Sequence, residues 1–300
     1  MTTSVDFDFV RYVAAANGEA AARLREGAAY AYGGDLKVRA ALDRVKPVTL
    51  ALEAGVRFWN SVGKNQLLAN AVRVGEKQFP EVAAVVESAA RTLQIDAPAV
   101  YVSPGLGGMK TETLGTSGEV VVVLGTGLAK LPKVELSAVL GHAYGHIQNN
   151  HVPYLTALYL LSKAGNQIVR WAAQPAILGL RGWARRAEIT CDRAALLCAR
   201  DLNATIAVMV KRALGSEHFF ANIDLDEYLR QIEQEDTGRR NFAELTAQNP
   251  ALPKRVKALR LFAETTYYRS VVGQSATAET PGLTKEACDA EVSELLAVLG

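Results

Sequence analysis

Cysteine is scarce in this chain of 300 residues, where it occurs only as Cys191, Cys198 and Cys288. An odd number of cysteines without any C-x-x-C spacing argues against a disulfide framework and against a zinc site built from thiolates. A chain of this length with 49% hydrophobic residues can bury substantial cores without such covalent support. We therefore interpret the three cysteines as small buried hydrophobic residues.

An excess of either charge is also lacking, because 33 basic residues face 31 acidic ones and the formal net charge is +2. This balance argues against nucleic acid as a partner and against an anionic membrane as the main binding surface. The first residues contain Asp6 and Asp8 and no basic stretch ahead of an apolar run. We therefore predict no secretory signal and a cytoplasmic location.

A long uninterrupted apolar run is missing as well. The most apolar segment, residues 152–180, is broken by Lys163, Asn166, Gln167, Arg170, Gln174 and Pro175. A membrane-spanning helix needs about 20 mostly uninterrupted apolar residues. We interpret this segment as buried or interfacial helices and predict no transmembrane segment, while peripheral membrane contact stays open.

The pattern of apolar residues predicts an α+β fold that is predominantly α. Residues 7–90 carry apolar side chains at three- and four-residue steps, which is typical of several amphipathic helices. Short β-branched runs follow at 99–102, 109–114 and 120–124 and predict a small, mostly antiparallel, three-stranded sheet. We divide the chain into a helical N-terminal region (1–94), a main domain (95–272), and a linker with a C-terminal helix (273–300).

Two histidines provide the strongest chemical signal. His142 and His146 are four residues apart in a run with helical periodicity, so both imidazoles leave one face of a helix that starts near Pro132 and ends near Asn150. The spacing is that of the zinc-peptidase motif H-E-x-x-H, whose glutamate acts as general base on a metal-bound water. In this chain Ala143 occupies the position of that glutamate.

A carboxylate pair lies some forty residues further on. Glu188 and Asp192 are four residues apart in a second helical pattern and therefore share one face. Such a pair is by itself more often a solvated surface. Because the two histidines precede it, we interpret this pair as a third metal ligand and a carboxylate that supports a ligand.

Together these motifs resemble those of the gluzincin metallopeptidases of the HtpX and CAAX prenyl endopeptidase type, peptidase family M48. The core helix of that family reads approximately A-V-L-x-H-E-x-G-H-I-x-N-x-H, and residues 138–151 match it except at Ala143. The second element of the family, a glutamate followed four residues later by aspartate and arginine, is matched by Glu188, Asp192 and Arg193.

The third family element, a His-Pro pair before a basic helix, is matched only in part. Asn249 replaces the histidine, whereas Pro250 and Arg255 are retained. The resemblance covers roughly residues 95–262. The N-terminal helices and residues 183–188 resemble the soluble bacterial branch of the family. The resemblance leaves the substrate open between misfolded protein and one dedicated precursor peptide.

The resemblance implies a zincin-like catalytic core with an active-site helix that binds Zn²⁺. The implied ligands are His142, His146 and Glu188, with water in the fourth position. Asp192 would accept a hydrogen bond from a ligand histidine and fix its tautomer. His151, about 140° around the helix from His146, is expected to have a structural role instead.

The resemblance also implies a protein or peptide substrate bound in extended form. A strand before the metal helix can present a free edge to such a substrate, which predicts substrate contacts along β-branched residues of this strand: Val120, Val121, Val122 and Val123. Asn249 and Arg255 are further candidates for substrate contact. His218 could contact a transition-state oxyanion, with a surface or helix-end position as the alternative.

Ala143 cannot take the proton from a metal-bound water. Removing a general base typically slows a reaction by about 10²- to 10⁴-fold, so we predict a chain that binds zinc and cleaves peptide bonds negligibly. One interpretation is an alanine introduced into a zinc endopeptidase, which the retained ligands and Asp192 favour. A natural pseudopeptidase that binds peptides, and a non-catalytic scaffold stabilised by metal, are the alternatives.

Overall fold

The computed structural model describes residues 28–59, 64–116, 118–163, 174–234, 250–274 and 282–297. Helices dominate these residues and a small sheet accompanies them, which confirms the predicted α+β class. The helices of the first half are α1 (Gly33–Leu42), α2 (Lys46–Phe58), α3 (Lys64–Leu68), α4 (Pro80–Leu93), α5 (Lys133–Gln148) and α6 (Val152–Lys163). Those of the second half are α7 (Gln174–Ala199), α8 (Leu202–Leu214), α9 (Glu217–Phe220), α10 (Leu225–Gln234), α11 (Leu252–Ala263), α12 (Thr266–Val271) and α13 (Lys285–Leu296).

The sheet has four strands rather than the predicted three. They are β1 (Val72–Arg73), β2 (Ala99–Ser103), β3 (Thr111–Gly115) and β4 (Val120–Gly125), in the order β1-β2-β4-β3. β2 and β4 are parallel, whereas the β1–β2 and β3–β4 pairs are antiparallel. The prediction missed β1 because two exposed residues carry no alternating pattern. β1 also precedes the boundary that we predicted at residue 94.

The prediction that residues 120–124 present a free edge is wrong. β4 lies between β2 and β3, and both of its sides are hydrogen-bonded within the sheet. Val121, Val122 and Val123 are buried in the core, and Val120 pairs with Gly115 at the start of the strand. A run of four valines fits such an internal strand, which is covered on both faces.

The edge of the sheet beside the metal helix is β3. The Gly125 N–H donates to the Lys110 carbonyl at 2.9 Å, and the alternation of an antiparallel pair then directs the backbone groups of Thr111 and Thr113 away from β4. At Gly115 the edge is closed, because the Thr156 hydroxyl lies 3.2 Å from its N–H and 3.0 Å from its carbonyl oxygen. The edge that β3 offers is therefore short.

α5 and α7 pack closely because of two glycines on α5. A Cβ at Gly141 would lie 2.8 Å from the Ala194 carbonyl oxygen, and one at Gly145 would lie 2.9 Å from the Ala194 Cβ. Both distances are shorter than normal packing allows, so only glycine lets the two helix backbones approach this far. The approach brings the two sequence motifs, one on each helix, face to face.

The remaining predictions for the chain fare as follows. The apolar segment at 152–180 forms α6 and the start of α7, and its residues 164–173 lie outside the described part of the chain. No described helix is long and apolar enough to cross a membrane. The three cysteines are free. Cys191 and Cys288 are buried as predicted, whereas the prediction is wrong for Cys198, which is only partly buried. The predicted C-terminal helix is confirmed as α13, which packs on α11 and α1.

Candidate metal centre

Three side chains from two helices meet in the core. α5 supplies His142 and His146, which lie on its face toward α7, and α7 supplies Glu188. The Glu188 carboxylate reaches both rings, with Oε2 at 3.5 Å from Nε2 of His142 and Oε1 at 3.5 Å from Nε2 of His146. The potential ligand atoms all lie within 4.8 Å of one another, which is a spacing that one metal ion can bridge.

Asp192 supports the first histidine. Its Oδ1 atom lies 3.1 Å from Nδ1 of His142, one helical turn after Glu188 on α7. Burial alone would raise the pKa of Asp192, but Arg255 and His142 outweigh it and lower this pKa. The ionised carboxylate can accept a hydrogen bond from Nδ1 of His142, and the Nε2 atom of the same ring faces Glu188.

Arg255 holds both carboxylates from α11. Its Nε and Nη2 atoms donate to Oδ2 and Oδ1 of Asp192 at 2.8 and 2.6 Å, and Nη2 lies 3.1 Å from Oε2 of Glu188. The fork of the guanidinium thus binds Asp192 with two parallel hydrogen bonds and touches a candidate ligand as well. Burial opposes the charge of Arg255, but the two carboxylates prevail and raise its pKa.

The electrostatics of the cluster favour an anionic carboxylate beside a neutral ring. Burial works toward a higher pKa of Glu188, yet Arg255 and His142 hold that pKa well below its usual range. Burial lowers the pKa of His146 to about 4, since its contact with Glu188 offsets the loss of solvent only in part. Burial also disfavours the charged His142, but Glu188 and Asp192 reverse the effect and raise its pKa.

His146 has a second neighbour on its other side. Nδ1 of His151, just beyond the end of α5, lies 3.2 Å from Nδ1 of His146, and the Cys191 Sγ lies 3.7 Å from the same His151 atom. His151 is fully buried, and its Nε2 lies 3.0 Å from Oδ2 of Asp35 on α1. His151 thus contacts His146 through ring nitrogens rather than sharing the cluster with Glu188.

A cleft of about 340 Å³ opens beside Arg255. It is lined by the start of β3 and the loop before it, by α8, and by the first residues around α11: Met109, Lys110, Thr111, Glu112, Met209, Arg212, Ala213, Pro250, Leu252 and Arg255. The Nε atom of Arg212 is buried and has no hydrogen-bond partner among the described residues. Burial and the nearby Arg255 lower the pKa of Arg212.

The structure tests three further predicted site positions in different ways. Ala143 lies on α5 between the two histidines and is buried. His218 is exposed on the short helix α9 and does not line the cleft. Asn249 lies outside the described residues.

Two residues, Asp35 and Arg212, escaped the sequence analysis, and Arg255 was predicted with a different role. Asp35 gave no signal, because an acidic residue in the first turn of a helix is ordinary. Arg212 belongs to a common amphipathic helix pattern. Arg255 was predicted as a substrate contact, and nothing in its sequence context pointed to its hold on Asp192 and Glu188.

Comparison with known proteins identifies the family of the region that contains this cluster. The sequence profile of Peptidase family M48 matches residues 76–263, and the chain belongs to this family of metallopeptidases. It is similar to the Plastoglobule-localized metallopeptidase 48, chloroplastic, of Arabidopsis thaliana, with 33% identity over 180 residues. The match covers 56% of this chain and 50% of that relative, so the chain spans about half the relative's length. No solved structure matches the chain significantly.

Proposed function

We propose that this chain has the metal site of a zinc endopeptidase. Ala143 leaves the site able to bind metal and peptide but nearly unable to cleave a peptide bond. The observation that carries the proposal is the convergence of His142, His146 and Glu188 within 4.8 Å on two tightly packed helices. Membership of Peptidase family M48 supports the same reaction class.

Zinc fits the donor set. Two imidazole nitrogens and one carboxylate are one of the ligand sets of catalytic zinc sites, which keep one position open for water or substrate. The hydrogen bond to Asp192 leaves the Nε2 lone pair of His142 available, as such a site requires. When bound there, zinc would lower the pKa of a water molecule and polarise a substrate carbonyl group.

The substrate would bind as an extended strand along β3 rather than along β4. The backbone groups of Thr111 and Thr113 face outward, and Thr111 and Glu112 line the cleft that ends at Arg255. A polypeptide can add to such an edge through backbone hydrogen bonds, which do not depend on its sequence. The closure at Gly115 by Thr156 limits how far this pairing extends.

Ala143 removes the proton acceptor of the reaction. Glu188 and Asp192 are both held by Arg255, and their lowered pKa values make them weak bases. Neither can therefore replace a general base whose pKa must lie near the working pH. Both origins of Ala143 agree with this: an alanine introduced into a peptidase, and a natural pseudopeptidase that binds peptides.

The test compares Ala143→Glu with Ala143→Gln. Both add a side chain of the same length, but only the glutamate can take a proton. Cleavage of a denatured protein substrate should rise by about 10²- to 10⁴-fold in Ala143→Glu, be abolished by a chelator, and stay at the basal level in Ala143→Gln. Bound zinc and melting temperature are measured for both variants and for the unchanged chain.

Each outcome has a clear meaning. Equal activity of the two variants, with zinc bound and the fold intact, would contradict the peptidase interpretation and favour the scaffold. A metal-stabilised scaffold needs no cleft beside its metal, whereas the peptidase interpretation needs one. The cleft between β3, α8 and α11 supports the latter.

A further inference from the structure

We propose that the cleft between β3, α8 and α11 is a specificity pocket for a carboxylate group of the substrate, and that Arg212 selects this group. The inference rests on the proposed binding of an extended peptide along β3. It goes beyond that proposal, because backbone pairing does not depend on the sequence of the peptide, whereas a pocket for a carboxylate does.

Arg212 faces the cleft from α8. Met209, Arg212 and Ala213 all line the cleft, and residues three and four apart lie on one face of a helix. The neighbouring Lys211 has another partner, because its Nζ atom donates to the Glu135 carboxylate at 2.9 Å. Arg212 is therefore the residue of α8 that brings a positive charge to the cleft.

The cleft contains two unused hydrogen-bond donors. The Nε atom of Arg212 is buried and has no hydrogen-bond partner among the described residues. Glu112 lines the same cleft and attracts the charge of Arg212, but it does not supply that partner. The buried hydroxyl of Thr111 also lacks a partner within the described part of the chain. Because a buried donor without a partner destabilises a fold, two of them in one cleft point to a ligand that accepts hydrogen bonds.

Arg255, which lines the same cleft, shows which kind of acceptor fits. Its Nε and Nη2 atoms donate to Oδ2 and Oδ1 of Asp192 at 2.8 and 2.6 Å. A carboxylate thus occupies the Nε edge of that guanidinium with two parallel hydrogen bonds. Arg212 has the same planar fork, and no carboxylate of the described residues accepts from its Nε. A carboxylate of the substrate would complete it in the same way.

The charge of the cleft favours an anion with a single charge. Lys110 and Arg212 outnumber Glu112 by one, and Arg255 is already held by its two carboxylates. Burial and the nearby Arg255 lower the pKa of Arg212, as expected for a cation that lacks a close counter-charge. A carboxylate brings one negative charge and two acceptor oxygens, which match the surplus charge and the unused donors.

The walls of the cleft suit the methylene groups of a glutamate side chain. Met109, Met209 and Leu252 contribute apolar side chains, and the cleft has a volume of about 340 Å³. In a strand added along β3, side chains would alternate between the two faces of the sheet. One of them can enter the cleft while the backbone pairs at Thr111, so glutamate is the appropriate probe.

Fluorescence anisotropy with zinc-loaded protein and three labelled peptides tests the proposal. Two peptides with amidated ends differ only in an internal glutamate or glutamine, and the third has the glutamine and a free C-terminal carboxylate. At least one of the two carboxylate peptides should bind about tenfold more tightly than the neutral peptide. The peptide that does so identifies the source of the carboxylate as a side chain or a chain end.

Arg212→Gln and Lys110→Gln separate the pocket from a general attraction between charges. Each variant removes one positive charge from the same cleft, but Lys110 is exposed and its charge is screened by solvent. The preference for the carboxylate should fall below about twofold in Arg212→Gln and stay near tenfold in Lys110→Gln. Melting temperature and bound zinc are measured for both variants.

The Nε–H group of Arg212 gives a second readout by ¹H–¹⁵N correlation NMR. Its signal is assigned as the arginine side-chain signal that disappears in Arg212→Gln. In the unchanged, zinc-loaded protein this signal should move when the preferred carboxylate peptide is added, and it should move less with the neutral peptide. The measurement reports a contact at the buried nitrogen, which an attraction over a distance would not produce.

The outcomes separate the inference from the proposed function. Zinc-loaded protein that binds none of the peptides would contradict the proposed function and, with it, the inference. Equal binding of all three peptides would overturn the inference alone, without any variant. An equal loss of the preference in Arg212→Gln and Lys110→Gln would reduce it to general electrostatic attraction, which also overturns the assignment to Arg212.

Discussion

The two sides of the metal centre are built in opposite ways. On the side toward the core, His142 is backed by Asp192, and His146 by His151 and Asp35, at distances of 3.0 to 3.2 Å. On the side toward the cleft, the Nε of Arg212 and the hydroxyl of Thr111 are buried without hydrogen-bond partners among the described residues. The first side is closed by packed side chains, whereas the second opens into a cleft that Thr111 and Arg212 line. On the core side, Nε2 of His151 also lacks an aligned hydrogen-bond partner among the described residues.

The two sides therefore have different roles: packed contacts on the core side stabilise the fold, and polar groups on the cleft side are available to bind a ligand. A buried polar group without a partner typically costs about 1–3 kcal/mol. At the cleft, a bound ligand could supply the missing partner of Arg212 or Thr111. We therefore expect changes on the core side to affect metal binding and folding, and changes on the cleft side to affect peptide binding.

The largest effect is expected for Glu188→Ala. The change removes one of three ligands and leaves Arg255 with a single buried carboxylate, close to two histidines. Zinc affinity should fall by more than the ~100-fold upper range for a residue that only supports a ligand. Chelator competition measures this, and a loss of less than about tenfold would show that Glu188 is not a ligand.

The next effect concerns acid stability on the core side. Asp289 of α13 lies 2.7 Å from the buried Arg193 Nη2, and Arg193 outweighs burial to lower the pKa of Asp289. Because the folded pKa lies below the unfolded one, this pair stabilises the fold above pH ~4, and the contribution is lost as the pH falls through the folded pKa. Asp289→Asn should lower the free energy of unfolding by roughly 1.5–3 kcal/mol near pH 7.

Urea denaturation of the metal-free protein across this pH range provides the measurement. The difference between Asp289→Asn and the unchanged protein should shrink as acid protonates Asp289 in the latter. A difference that stays constant down to low pH would contradict the assignment of this pKa shift to the ion pair.

A somewhat smaller effect is expected where α5 meets α7. Gly145→Ala would place a Cβ 2.9 Å from the Ala194 Cβ and should cost about 1–3 kcal/mol, because the helices must move apart. Zinc affinity should fall as well, since the ligands lie on both helices. Gly182→Ala on α7 is the control: its nearest neighbour is the Arg185 Nη2 at 3.7 Å, so it should be neutral or slightly stabilising.

Calorimetric melting of the two glycine variants tests this packing. If Gly145→Ala melts at the same temperature as Gly182→Ala and binds zinc normally, the close approach of the helices is not needed to form the site.

The smallest effect on folding is expected on the cleft side. Arg212→Met replaces a partly buried cation, whose pKa is already lowered by burial and by Arg255, with a flexible apolar side chain of similar length. The free energy of unfolding should change by less than about 0.5 kcal/mol, while peptide affinity should fall roughly two- to tenfold. Lys110→Met, at the same cleft but exposed, controls for the loss of one positive charge.

Fluorescence anisotropy with a labelled unfolded peptide and zinc-loaded protein measures the affinities. A strongly destabilised Arg212→Met that binds peptide normally would reverse the distinction between the two sides of the metal centre.

Motifs that depend on local spacing were predicted well, and contacts between distant segments were not. The helical step of four brought out His142 with His146 and Glu188 with Asp192, and the structure brings three of these four side chains into one potential metal cluster. Strand order was not predicted correctly, because strand pairing joins segments that are distant in the sequence and the run of valines, which fits an internal strand, was not used to place it. The free edge was therefore assigned to β4 instead of β3.

The sequence by itself determined the chemistry of the centre: its candidate ligands, its family resemblance and the loss of a base at Ala143. Helical periodicity fixes which side chains share a face, and that information is local. The tertiary structure alone decided that Asp35 stands behind His151, that Arg255 holds both carboxylates and that β3 forms the edge. These relations depend on how helices and strands pack across long stretches of chain, and the spacing of residues carries no record of that packing.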